Sequence, residues 1–179
     1  MALTIIFVSH STTFDNENGI ASGWNDVRLS PKGLEQAREL GELHRDAMPD
    51  AIFCSDLQRS IRTAMVAFDS LNPAKLFVDW RLRECDYGEM TGTDKATVEA
   101  ERLQRINLPF EGGESYAQCA DRIASFLTDL KTRFDGKTVL IIGHRATQYG
   151  FEHWLNNKSL EDIVVEPWSW QPGWRYSLA

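Results

Sequence analysis

Four short apolar runs punctuate the chain, at residues 3–8, 51–54, 76–78 and 139–142. The first and last are continuous rather than alternating, the pattern of strands covered on both faces. Between the runs, apolar residues recur at three and four positions. Leu34, Ala37, Leu40 and Leu43 form one such stripe behind the helix start signal Ser30-Pro31. A second stripe follows Ser55, with Ile61, Ala64, Met65 and Phe68 on one face. The longest begins after Glu114. There Tyr116, Cys119, Ala120, Ile123, Phe126, Leu127, Leu130 and Phe134 share a face, and Gly136 closes the helix. A last helix is expected over about 147–155. Strands alternating with helices predict an α/β sandwich around a mostly parallel sheet. No repeat or linker divides the chain, so residues 1–179 read as a single domain. The polar, irregular stretch 81–113 is expected to be an active-site loop or a short helical insertion. For the tail, with Trp168, Trp170, Trp174 and Tyr176, packing against the sheet as a closing edge strand is favoured over stacking on a substrate.

Composition narrows the function classes. A chain of 179 residues, 42% hydrophobic and 25% charged, is an ordinary globular sequence able to bury a substantial core. The net charge of -7 argues against a nucleic-acid-binding surface, so an anionic ligand would need arginines gathered locally. Cys54, Cys85 and Cys119 are odd in number and widely spaced, which indicates neither a disulfide framework nor a zinc site. The apolar start is too short for a signal sequence, and no stretch is long enough to span a membrane. A cytoplasmic protein without a membrane partner is the expectation.

In open α/β sheets, ligands bind beyond the carboxyl ends of the strands. After the first run come Ser9, His10, Ser11, Thr12 and Thr13; after the second, Ser55 and Asp56, with Arg59 a turn into a helix. Trp80, Arg81, Arg83 and Glu84 follow the third, and Gly143, His144 and Arg145 the fourth. Singly, each has a bland reading: a hydrogen-bonded structural histidine, a surface pair of Arg59 with Asp56, a loop carboxylate. Together they have a coherent chemical use. A neutral imidazole attacks phosphorus to give a covalent intermediate. A second, protonated imidazole and a bidentate guanidinium stabilise the equatorial oxygens. A carboxyl protonates the leaving alcohol and then activates water. Arg59 suits the anion role because helical side chains lean toward the helix start, here into the crevice. Ser55 and the amides of that helix start are expected to add donors.

The residues also resemble the histidine phosphatase superfamily, whose best-known branch is the phosphoglycerate mutases. Phe7-Val8-Ser9-His10-Ser11-Thr12 is similar to its opening Arg-His-Gly motif, and Ser22-Gly23-Trp24-Asn25-Asp26-Val27-Arg28-Leu29-Ser30 to the Thr-Gly-Trp segment that follows. Residues 54–64, from Cys54-Ser55-Asp56 to Arg59 and Thr63-Ala64, resemble the next motif. Arg81-Leu82-Arg83-Glu84-Cys85-Asp86-Tyr87-Gly88, Gly113-Glu114-Ser115 and the strand ending at His144 complete the order. The resemblance implies a three-layer α/β/α sandwich that needs no metal or other cofactor and acts on a small phosphorylated metabolite. By position it makes His10 the phosphorylated residue, Arg59 and His144 ligands of the phosphoryl group, and Glu84 the proton donor. Asn16 would contact phosphate, and Ser22, Gly23 and Tyr87 would contact substrate. The chain departs from the pattern where Ser9 and Ser11 replace the arginine and glycine that flank the first histidine. Arg145, which follows the second histidine, and Arg62, one turn beyond Arg59, are candidates to restore the charge missing at Ser9. The expected activity is a phosphatase using a phosphohistidine. Mutase-type phosphoryl transfer is an alternative, to which Tyr87 and Lys95 are matched, although the segment 87–113 is short for a mutase. A weak or inactive relative that binds phosphorylated ligands is a third reading. The oligomeric state is not legible.

Overall fold

Strand β1 (Leu3–Ser9) shows why the apolar runs are continuous. On one side of the sheet Ile5 and Phe7 join Phe53, Val139 and Ile141 in a cluster with Ile123, Phe126, Leu127 and Leu130. On the other side Ile6 and Val8 join Ile52, Leu140 and Ile142 against Leu40, Ala64 and Phe68. Successive side chains of a strand point to opposite faces, so burial of both faces demands an apolar residue at every position. The structure is a computed structural model, and it describes residues 1–69, 75–169 and 171–179.

The other strands are β2 (Ala51–Cys54), β3 (Leu76–Val78), β4 (Thr138–Gly143) and β5 (Trp174–Leu178). They form one sheet in the order β3-β2-β4-β1-β5. The first four are parallel, and β5 runs antiparallel along β1 with Phe7 opposite Trp174. The described residues contain seven α-helices: α1 (Phe14–Glu17), α2 (Pro31–Leu43), α3 (Gln58–Ala67), α4 (Lys95–Glu101), α5 (Tyr116–Phe134), α6 (Arg145–Asn156) and α7 (Leu160–Val165). Helices α2 and α3 cover one face, and α5 and α6 the other, giving the three layers.

Local chemistry accounts for the helix ends. The Ser30 hydroxyl caps α2 by accepting from the Gly33 amide, and Ser115 caps α5 in the same way from Gln118. Gly136, past the end of α5, has φ +71. Two expectations need correction. Met65 is exposed, so only Ala64 and Phe68 of its stripe are buried against the sheet, with Ile61 partly buried beside them. Helix α6 begins at Arg145 rather than near 147, because the Thr147 hydroxyl accepts from the His144 amide and so caps the helix two residues earlier.

The segment 81–113 is a helical insertion built from α4 and the 3-10 turn Gly88–Met90. Its Val98, Ile106 and Phe110 pack with Tyr116, Tyr149, Leu160 and Ile163 in a third apolar cluster. The tail closes the sheet as β5, as expected, while Trp170 lies outside the described residues. No helix among the described residues is long and apolar enough to cross a membrane.

Candidate active site

His10 leaves the end of β1 with its amide still donating to the Gly143 carbonyl, 2.9 Å away, which fixes the backbone beside β4. Its ring Nδ1 lies 2.8 Å from the Ser11 carbonyl. A carbonyl can only accept, so Nδ1 carries the proton and Nε2 holds a free lone pair. Burial, reinforced by the nearby Arg59 guanidinium, pushes the His10 pKa down to about 3. The imidazole is therefore neutral at ordinary pH.

The ring of His144, at the end of β4, sits 5.0 Å from that of His10, centroid to centroid. Its Nε2 is 2.7 Å from Ser55 Oγ, and that oxygen also accepts from the Leu57 amide. Ser55 is fully buried, and Nε2 is the only acceptor its hydroxyl meets among the described residues. Its proton is therefore directed there, and Nδ1 bears the histidine's hydrogen. Nδ1 is buried and has no partner among the described residues. Burial, then Arg59 and His10, hold this imidazole well below its usual range. The expected second imidazolium is thus a neutral donor in the ligand-free protein.

Arg59, in the first turn of α3, is buried and donates to the carbonyls of Asn25 (2.9 Å) and Gly23 (2.7 Å). Gly23 has φ +48, and a Cβ there would stand 2.7 Å from Thr91 Oγ1, so only glycine fits. Asp56 pairs with Arg83 at 2.6 Å instead of with Arg59, and the Arg83 guanidinium lies over the Trp24 ring. Two of the expected donors at the start of α3 are already engaged: Ser55 serves His144, and the Gln58 amide donates to Asp26.

Glu84 is held by backbone. One oxygen accepts from the amides of Cys85 (2.8 Å) and Ala146 (3.0 Å), the other from that of Arg145 (3.2 Å). The carboxyl therefore caps α6, where the helix end favours negative charge. Three of roughly four acceptor positions are used, leaving about one for a reacting proton.

These groups meet at a cavity of about 350 Å³ whose lining includes Ser9, His10, Asn16, Ser22, Gly23, Arg59, Glu84, Tyr87 and Arg145. His144 is fully buried next to His10 and is not among the lining residues. Asn16 is fixed by Thr13, whose amide donates to Asn16 Oδ1, and the Ser22 hydroxyl donates to Asp15. Arg62 does not join them. It lies exposed on a separate surface groove with Arg38, Arg45 and Lys75. Three residues beyond Arg59, it is about 4.5 Å farther from the strand ends along the helix. Arg145 lines the cavity, but its guanidinium is held by Glu99 at 2.9 Å and by the Glu166 carbonyl.

Several lining residues escaped the sequence pattern. Lys32 and Gln36 come from the start of α2, Glu99 and Arg102 from α4, and Trp168 from the tail. Lys32 has no ion-pair partner among the described residues. Its only sequence signal was its place one turn from Gln36 in a helix following the first motif. Cys85, Glu114 and Cys119, far apart in sequence, bring ligand-type atoms within 4.8 Å of one another. Glu114, however, is held at both oxygens by Arg122, which also donates to the carbonyls of Arg81, Arg83 and Glu84. The cation of this cluster is a guanidinium, and it fastens the Glu84 loop.

The model of the histidine phosphatase superfamily (branch 1) matches residues 5–164. A 2,3-bisphosphoglycerate-dependent phosphoglycerate mutase of Nocardia farcinica is 31% identical, over 92% of this chain and 82% of its own length. Among solved structures, mycobacterial hydrolase 1 superposes with a TM-score of 0.85 at 22% identity, covering 99% of this chain and 91% of its own. A phosphoserine phosphatase from Entamoeba histolytica gives 0.81 at 21% identity, covering 93% and 86%. At these identities the two structures speak to the fold alone.

Proposed function

Since the chain belongs to the histidine phosphatase superfamily, we propose that it hydrolyses small phosphate monoesters through a phosphohistidine formed at His10. The observation that carries this reading is the neutral His10 imidazole, with Nδ1 committed to Ser11 and Nε2 free beside a cavity that Arg59 and Glu84 also line. Nε2 attacks phosphorus, forming an N–P bond as the ester P–O bond breaks, and Glu84 gives its proton to the leaving oxygen. Water then passes a proton back to Glu84 and attacks phosphorus. The N–P bond breaks, inorganic phosphate departs and the neutral imidazole is restored.

Arg59 and the Nδ1–H of His144 act as donors to the phosphoryl oxygens, with Asn16 beside them. An arriving dianion favours the imidazolium, so His144 gains its charge with the ligand. Lys32, which lines the same cavity as Ser9 and has no ion-pair partner among the described residues, supplies positive charge in place of the motif arginine. No step requires a metal or an organic cofactor. Free, buried Cys54, Cys85 and Cys119 support a cytoplasmic location, where thiols stay reduced.

Rapid quenching of a reaction with a labelled ester tests the mechanism. An acid-labile, base-stable phosphate is expected on the peptide containing His10, and none in His10→Ala. Label on Ser9 or Ser11 would sink the proposal. The mutase relative, 31% identical over 92% of this chain, favours a second reading in which the phosphoryl group passes to an acceptor alcohol. Comparing released inorganic phosphate with transferred phosphate, in the presence of a phosphoglycerate, separates the two. Predominant release supports the phosphatase.

A further inference from the structure

After α7 the chain passes along the rim of the cavity before entering β5, and Trp168 lies on that passage. Three contacts hold this passage in place. The Glu166 carbonyl accepts from the Arg145 guanidinium at 3.4 Å. The Trp168 indole N–H donates to Gln148 Oε1 on α6 at 2.8 Å. Its ring stacks on Trp174 with centroids 6.1 Å apart and planes at 28°, and Trp174 in turn packs on the core residue Phe7.

The indole is thus immobilised through both its polar and apolar parts, yet it stays partly exposed and lines the cavity that holds His10, Arg59 and Glu84. Residues that only fill a core bury their rings, and an indole fixed at a cavity rim is instead a preorganised binding surface. Ile20 and Val98 add apolar surface to the same cavity. The guanidinium that reaches the Glu166 carbonyl beside Trp168, that of Arg145, is already engaged by Glu99, so a flat apolar group suits the rim better than a second anion.

We infer that Trp168 is a stacking wall for a flat ring in the alcohol part of the substrate, either an aromatic ring or the apolar face of a pyranose. The inference rests on the phosphate-ester reading and narrows its substrate class. The phosphate would sit at His10 and Arg59, with the ring extending outward to the indole.

Calorimetric binding of two unreactive phosphonates to the full chain tests this without needing turnover. Benzylphosphonate carries a ring, and n-propylphosphonate does not. The wild-type protein is expected to bind the benzyl compound about two- to tenfold more tightly. That ratio should fall to about one in Trp168→Ala and in the bulk-preserving Trp168→Leu, and should persist in Trp168→Phe. A ratio near one in the wild type, or one unchanged in Trp168→Leu, overturns the ring site while leaving the phosphate reading intact. Failure of both phosphonates to bind at millimolar concentration overturns both. Displacement of benzylphosphonate by glucose 6-phosphate and by glycerol 3-phosphate distinguishes the ring sources. A Trp168-dependent preference for the glucose ester identifies a pyranose, and equal displacement identifies an aromatic ring.

Discussion

Among single residues, Ser9 is the largest departure, because it stands where the superfamily motif has an arginine. Lys32→Met should then lower kcat/KM by on the order of 10- to 100-fold and weaken inhibition by inorganic phosphate. Ser9→Arg in the Lys32→Met background should recover most of that loss. Full phosphate affinity in Lys32→Met alone would show that the charge comes from elsewhere. Glu84→Gln should slow esters of poor leaving groups by roughly 10²- to 10⁴-fold and activated aryl phosphates much less, since only the former need protonation. An equal loss on both would make Glu84 merely the cap of α6. For the free protein, the His10 pKa of about 3 predicts no loss of nucleophile between pH 7 and 5. Because Arg59 helps hold the His10 pKa down, an acid limb of kcat/KM near 6.5 that does not move when Arg59 is altered would instead trace to another group.

At the scale of elements, legibility tracked apolar periodicity. Eight apolar residues marked α5, and both of its observed ends agree with the sequence reading to within a residue or two. Helices α1 and α7 were not read, and α4 only as a short helical insertion somewhere in 81–113, because they span only four, six and seven residues and carry no repeating stripe. The strand-end rule located His10, Arg59, Glu84 and His144, whose positions depend on where strands stop. It could not place Arg62 and Arg145, whose roles depend on which face of a helix turns inward and on the partner Glu99. The Arg122–Glu114 pair was invisible for the same reason, since it joins α5 to the loop before it through contacts without a sequence signature. Removing one member of a mostly buried pair strands the other, so Arg122→Leu should lower unfolding stability by about 3–5 kcal/mol. Denaturant titration measures this, and a change below about 1 kcal/mol would show that the pair is screened. The same variant should also slow turnover, because Arg122 holds the Glu84 carbonyl.

For the whole molecule, three imidazoles weigh on the response to acid: His44, which burial also holds below its usual range, and the adjacent pair His10 and His144. All three have folded pKa values below the unfolded one, so the unfolded chain binds more protons as pH falls. Their contribution to stability is complete above about pH 6.5 and is lost progressively as pH falls, for His10 down toward about 3. Unfolding midpoints measured from pH 7 to 4 should decline, and His144→Asn should flatten the decline if it folds. A midpoint constant over that range would contradict the assignment of neutral imidazoles.

The strand order carries one more consequence, for biosynthesis. Among the described residues, strand β1, which delivers His10, pairs only with β4 and β5, both of which are made well over a hundred residues later. On the ribosome His10 emerges early and waits for its neighbours, so the site assembles abruptly and late. Closing so long a loop slows assembly of the sheet. A chain halted before β4 should bind no phosphonate, however long it is incubated. Partially made copies would then be inert toward the phosphate esters around them.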